Sequence, residues 1–128
     1  MEGTNQAQAA LSEKTSKDNL VSLYLNANNS KVGQSFDFRD NPYPTAKNID
    51  PKTELTFSVD LGKNIDRNSV CVVIYDGLKK VEIPLQTLAG NVFQHQFPQV
   101  TEEAYVWIYG NTDSSQFSYK VAIPVSGF

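Results

Sequence analysis

The sequence predicts an all-β protein, an antiparallel sandwich of the immunoglobulin-like or jelly-roll type with about eight strands. Three observations carry that prediction. From Leu20 onward apolar residues recur with a period of two; turn signals interrupt the pattern about every ten residues; and no later segment shows a helical period. At 128 residues the chain is one domain, long enough to bury a core without metal or disulfide help. It divides into a polar arm, residues 1–19, and a sandwich, residues 20–128.

The arm, with "TNQAQAALSEKTSKDN" at 4–19, has Leu11 as its only large apolar residue apart from Met1. Two helical turns over "AQAALSEK" with Thr4 as N-cap are conceivable from composition, but so short a helix is marginal alone in water. The first strand follows in "LVSLYLNA", which puts Val21, Leu23 and Leu25 on one face. "QSFDFRD" alternates Phe36 and Phe38 around Asp37. "NPYPTAKNIDP" carries Pro42, Pro44 and Pro51 and reads as a loop or extended crossover. "ELTFSVDLG" is the cleanest alternation, with Leu55, Phe57, Val59 and Leu61 inward, and "NIDRNS" reads as a turn.

"VCVVIYDG" is apolar at every position from Val70 to Tyr75 and ends at Asp76-Gly77, a strong turn pair. "KKVEIPL" returns with Val81, Ile83 and Leu85 on one face, and "LAGN" turns again. "VFQHQFP" sets Phe93, His95 and Phe97 against Val92, Gln94 and Gln96. "AYVWIYGN" is a second fully apolar run, closed by Gly110-Asn111. "QFSYKVAIPV" alternates Phe117, Tyr119, Val121 and Ile123, and Pro124 marks its end as an edge.

A net charge of −3 with only scattered lysines (Lys79-Lys80, Lys14, Lys17) argues against a nucleic-acid partner. No run approaches a membrane span, and no basic segment followed by an apolar stretch stands at the N-terminus. The expectation is synthesis in a cytoplasm without export by a cleaved signal. Cys71, the single cysteine, reads as a small buried hydrophobe. As a nucleophile it would need a histidine, and His95 is the only one. His95 in turn lacks the spacing of a metal site and reads as a half-exposed structural residue. Asp37 and Asp40 could face a calcium ion, but no EF-hand spacing supports one. No catalytic, cofactor-binding or metal residue is therefore expected.

Two strands carry more apolar surface than a one-sided sheet needs. In "AYVWIYG" either Val106 and Ile108 face the core, leaving Tyr105, Trp107 and Tyr109 together outside, or the aromatics fill the core and the aliphatic face is covered by a loop or the arm. The same choice holds for Cys71, Val73 and Tyr75. An outward aromatic row would be a platform for a protein partner or a sugar.

A polar arm before a compact sandwich, with a "VVIYDG" hairpin and a final "FSYKVAIPV" strand, resembles the small domains of tailed-bacteriophage virions: capsid decoration proteins, head-fibre bases and the amino-terminal domain of baseplate upper proteins. The similarity covers roughly residues 20–128 and rests on layout, so no functional residue is carried over. It implies a structural virion protein, made in the host cytoplasm, with host-surface or capsid contacts. The expected function is a non-catalytic component of a multi-subunit assembly, anchored by its arm. The expected contact residues are Leu11, Leu20, Tyr105, Trp107 and Tyr109, and the expected partners are other virion or assembly proteins, copies of itself included. The alternative is a carbohydrate-binding sandwich that holds a cell-surface glycan on Tyr105, Trp107 and Tyr109 or on the Tyr43 loop.

Overall fold

Because successive side chains in a strand point to opposite faces, each alternating segment has one side to bury. Eight strands form in the computed structural model, which describes residues 16–27, 33–47, 49–50, 53–98 and 103–124. They are β1 (Val21–Ala27), β2 (Gly33–Asp37), β3 (Glu54–Leu61), β4 (Ile65–Tyr75), β5 (Lys80–Pro84), β6 (Val92–Gln96), β7 (Ala104–Thr112) and β8 (Gln116–Ile123). The described residues hold no α-helix, only three short 3-10 turns.

Two four-stranded antiparallel sheets face each other, the first ordered β2-β1-β3-β6 and the second β5-β4-β7-β8. The runs β1-β3-β6 and β4-β7-β8 follow the order A-B-E and C-F-G of an immunoglobulin-type sandwich. Of the two expected architectures, this order selects the immunoglobulin-like one. Strand β5 lies outside β4, and β2 is a hairpin added outside β1.

The Pro-rich crossover runs beside β8. Lys120 and Ala122 donate backbone N–H groups to Pro42 and Pro44 carbonyls, Ala46 N–H donates to Ala122, and Thr45 forms a parallel bridge to Ala122. The prolines fit because only their carbonyls are used. The Asp76-Gly77 turn forms as its chemistry requires: Gly77 takes φ 93°, and Asp76 Oδ1 accepts the N–H groups of Leu78 and Lys79, each at 2.9 Å.

Of the segment "NIDRNS", expected as a turn, only Asn64 lies in one, and Ile65–Ser69 are instead the first half of β4. Its polar residues are accommodated by an irregularity in which β4 advances from Asp66 to Cys71 while β7 moves only from Asn111 to Tyr109. Arg67, inside it, donates to Asn91 Oδ1 at 2.7 Å and to the Leu85 and Leu88 carbonyls at 3.1 and 2.8 Å, which ties the β5–β6 crossing to the sheet.

The last residues of the expected arm pack on the sandwich. Ser16 caps a 3-10 turn over Lys17–Asn19, Asn64 N–H donates to the Asp18 carbonyl, and Gly62 N–H donates to Leu20. A Cβ at Gly62 would collide with the Lys17 and Asp18 carbonyls, so glycine permits this approach. Residues 1–15 lie outside the described residues.

The core is asymmetric in volume. The first sheet contributes Leu23, Leu25, Leu55, Phe57 and Phe93, with Phe38 and Phe97 just beyond strand ends; the second contributes mostly Val70, Val72, Ile74, Val106, Ile108, Val121 and Ile123. Phe57 is 0% exposed and stacks on Phe93 with centroids 4.9 Å apart. Phe57→Ala should therefore cost about 3–5 kcal/mol. Thr56→Ala, on the outer face one residue earlier, should cost under about 1 kcal/mol. Urea denaturation of both variants checks this; equal costs would mean the strand faces are assigned wrongly.

Candidate functional site

The second sheet buries its aliphatic face and turns its aromatic face outward. Val70, Val72 and Ile74 of β4 and Ala104, Val106 and Ile108 of β7 are all in the core. Cys71, Val73 and Tyr75 therefore stand on the outer face with Tyr105, Trp107 and Tyr109. The arrangement with aromatics in the core is not the one adopted. Volume and polarity explain why. Sheets pack about 10 Å apart, and the opposing sheet already supplies Phe57, Phe93 and Phe97. Adding an indole and three phenols would overfill that layer and bury polar groups that need partners.

Register arranges the outer face in three rows across the four strands. One row reads Pro84, Cys71, Tyr109, Ser118; the central row reads Glu82, Val73, Trp107, Lys120; the third reads Lys80, Tyr75, Tyr105, Ala122. The aromatics form two tilted pairs, Trp107–Tyr109 with centroids 4.8 Å apart and Tyr75–Tyr105 at 5.5 Å. The indole N–H donates to Ser118 Oγ at 2.8 Å, and the Lys120 ammonium sits 4.5 Å from the Tyr105 ring centroid. Val73 is 2% exposed although it belongs to this outer face and not to the inter-sheet core. The Cys71 thiol, by hydrogen bonding and charge interaction, pushes the Tyr109 phenol up; desolvation and the Glu82 carboxylate add to it.

Where the row ends at Trp107 and Tyr109, a groove opens with Ser69, Asn111, Gln116 and Ser118 as polar lining. Beyond Gln116 and Phe117 lies a cavity of about 440 Å³ at the loop end, between Phe38, Tyr119, Arg39 and the β7–β8 turn. Arg39 there is held by Asp37 at 2.6 Å, and this hydrogen bond holds the Asp37 carboxyl below its usual range.

Tyr105, Trp107 and Tyr109 thus stand together, whereas Leu20 stands apart from them. Leu20 is half-buried beside the β3–β4 turn, and Leu11 lies outside the described residues. Tyr43 is 67% exposed on the crossover loop. Cys71 is half-buried on the outer face and is not among the residues around His95, so the two form no catalytic pair. Asp37 is engaged by Arg39, and no cluster of three His, Cys, Asp or Glu residues that could hold a metal occurs among the described residues. No helix among them is long and apolar enough to cross a membrane.

No family model, curated protein or solved structure matches the chain.

Asp76 is the partner of His95 that the sequence did not disclose. Its Oδ2 lies 2.9 Å from His95 Nε2, its residue is 2% exposed, and the pair joins the β4–β5 turn of one sheet to β6 of the other. The imidazole packs edge-on to Phe97 at 4.8 Å. The surrounding groove is lined by Glu54, Leu78, Lys79, Gln94, Gln96 and Pro98, a set without a hydroxyl or thiol nucleophile. A buried carboxylate that also caps a turn and clamps two sheets has structural work to do here.

Burial alone would push the Asp76 carboxyl up, but the Lys79 and Leu78 N–H groups and then His95 outweigh it and hold it below its usual value. A depressed carboxylate contributes stability above its unfolded value, about pH 3.9, and loses that contribution as pH falls through its lower folded value. The melting temperature of the wild type should exceed that of Asp76→Asn at about pH 6, and the gap should close toward about pH 2.5. A gap independent of pH would mean that Asp76 is not ionised in the folded state.

Proposed function

We propose that the chain is a non-catalytic structural protein of a multi-subunit assembly and makes contact through the outer face of its second sheet. One observation carries this reading: the two outer faces differ in chemistry. The first sheet presents Ser22, Asn26, Thr56, Ser58, Asp60, Gln94 and Gln96 with the exposed Tyr24 and Val92, an ordinary solvated face. The second presents four aromatic rings around a covered valine, with Glu82, Lys80 and Lys120 at its margins. Aromatic centres with charged margins are the composition of protein interfaces. The resemblance in layout to small virion domains favours a tailed-phage particle as the assembly, with the chain as a decoration, fibre or baseplate component and the part of the expected arm before Ser16 as its tether, since residues 16–19 pack on the sandwich.

A glycan-binding reading has its own support in the groove beside Trp107 and Tyr109, whose polar lining could meet sugar hydroxyls while the rings stack.

Fractionation of the chain from its source tests the main reading. The wild-type chain should sediment with a particle far larger than itself, and Trp107→Ala/Tyr109→Ala should shift it to the slow fraction while melting as a folded protein. A wild-type chain found only in the slow fraction would overturn the assembly role. Quenching of Trp107 fluorescence by a defined oligosaccharide, lost in Tyr109→Ala, would favour the glycan instead.

A further inference from the structure

We infer that the occupant of this aromatic face is a second copy of the same chain, packed face to face about a two-fold axis parallel to the strands. The inference rests on the reading of this face as a contact surface, and it goes further by naming the partner and its orientation.

The charge layout of the central row selects both. Glu82 stands at one margin, on β5, and Lys120 at the other, on β8, with Val73 and Trp107 between them. Strands are about 4.8 Å apart, so Glu82 and Lys120 of one chain are separated by three spacings, about 14 Å at the backbone. Lys120 instead lies over the Tyr105 ring of its own sheet.

A second copy can cover the face by rotation about an axis in the interface plane. An axis perpendicular to the strands would place Glu82 over its own equivalent and Lys120 over its own equivalent, two like-charge contacts. An axis parallel to the strands reverses the row. Glu82 of one copy then meets Lys120 of the other at both margins, and Trp107 of each copy lies over Val73 of its mate. Aligned packing of sheets tolerates a rotation of about 30°, which leaves the middle of the central row in place and displaces its ends by about 4 Å, within the span of the long Glu82 and Lys120 side chains.

Edges offer no equally good route for this sheet. The β8 edge is occupied by residues 42–46, and the β5 edge ends at Pro84. The face itself spans four strands, of 5 residues in β5, 11 in β4, 9 in β7 and 8 in β8, roughly 500 Å² per copy in projection. That is at the low end for stable interfaces, so a reversible dimer follows, not an obligate one.

Sedimentation equilibrium of the full chain, up to about 1 mM, tests this. The wild type should associate to a dimer and no further. Glu82→Lys and Lys120→Glu should each weaken it about tenfold or more, because each creates two like-charge contacts. The combined variant Glu82→Lys/Lys120→Glu should return to within about threefold of wild type, since it restores both pairs in reverse. Unchanged melting temperatures would show that these surface variants fold. A wild type monomeric throughout, or a dimer in which the double reversal fails to rescue, would overturn the self-pairing. Sedimentation with a large particle, together with a monomeric purified chain, would overturn this inference alone and leave the assembly role intact.

Discussion

The register of β4 against β7 is the constraint on which the rest of the molecule depends. Both strands are apolar on both sides from Cys71 to Tyr75 and from Tyr105 to Tyr109, so patterning alone does not say which side is inner. A one-residue slip would exchange the two faces completely. The register is pinned at both ends of the paired stretch. At one end the Asp76-Gly77 turn closes the β4–β5 hairpin, with the Asp76 carboxylate holding two backbone N–H groups and His95. At the other the irregularity between Asp66 and Cys71 inserts an odd number of extra residues into β4. That oddness matters: Ile65 and Val70 both point into the core, which an uninterrupted strand would forbid because they are five positions apart.

Once this register holds, the core and the outer surface follow from the same alternation. Slim β-branched residues of the second sheet meet the phenylalanines and leucines of the first, and close packing is reached without burying a hydroxyl or an indole N–H. The residual cost appears on the outside, where the large rings are left. They lie against one another in two pairs, and Val73 on the same face is 2% exposed, so the surface is already partly dry. Ordering four aromatic rings in advance reduces the side-chain entropy lost on association. Trp107 is fixed by Ser118, and Lys120 is held near Tyr105, which adds to that preorganisation.

Much of this was legible in the sequence, for reasons that differ by element. Leu55, Phe57 and Val59 announced their strand because the polar residues between them face water, and water imposes the period. Asp76-Gly77 announced its turn because only glycine takes φ 93° cheaply. The face of β7 was not legible, since choosing it requires knowing the volumes contributed by the opposite sheet. "NIDRNS" was misread because an irregular strand has the composition of a turn: Asp66 caps Asn68, and Ser69 bonds back to Asp66 as in a loop. Asp76–His95 was invisible because 19 positions and a change of sheet separate the partners. The candidate aromatic row was named residue by residue, but Glu82 and Lys120 became part of it only when register placed them on one line with Trp107.

The same topology governs how such a protein can meet a neighbour. A sandwich has two kinds of adhesive surface, the unpaired backbone of its edges and the side chains of its faces. On the second sheet the edges are already managed: the crossover satisfies β8 through Pro42 and Pro44, residues that can accept but cannot donate, and β5 stops at a proline. Backbone pairing is indifferent to side-chain identity and would extend without limit, as edge-to-edge aggregation does. Side-chain contact across a face is instead specific to register and charge, and a two-fold arrangement consumes the face on both copies. Covering the edge while leaving the aromatic face open therefore favours closed over open-ended association, and in the self-pairing we infer, Glu82 and Lys120, at opposite margins of one row, set the orientation of closure.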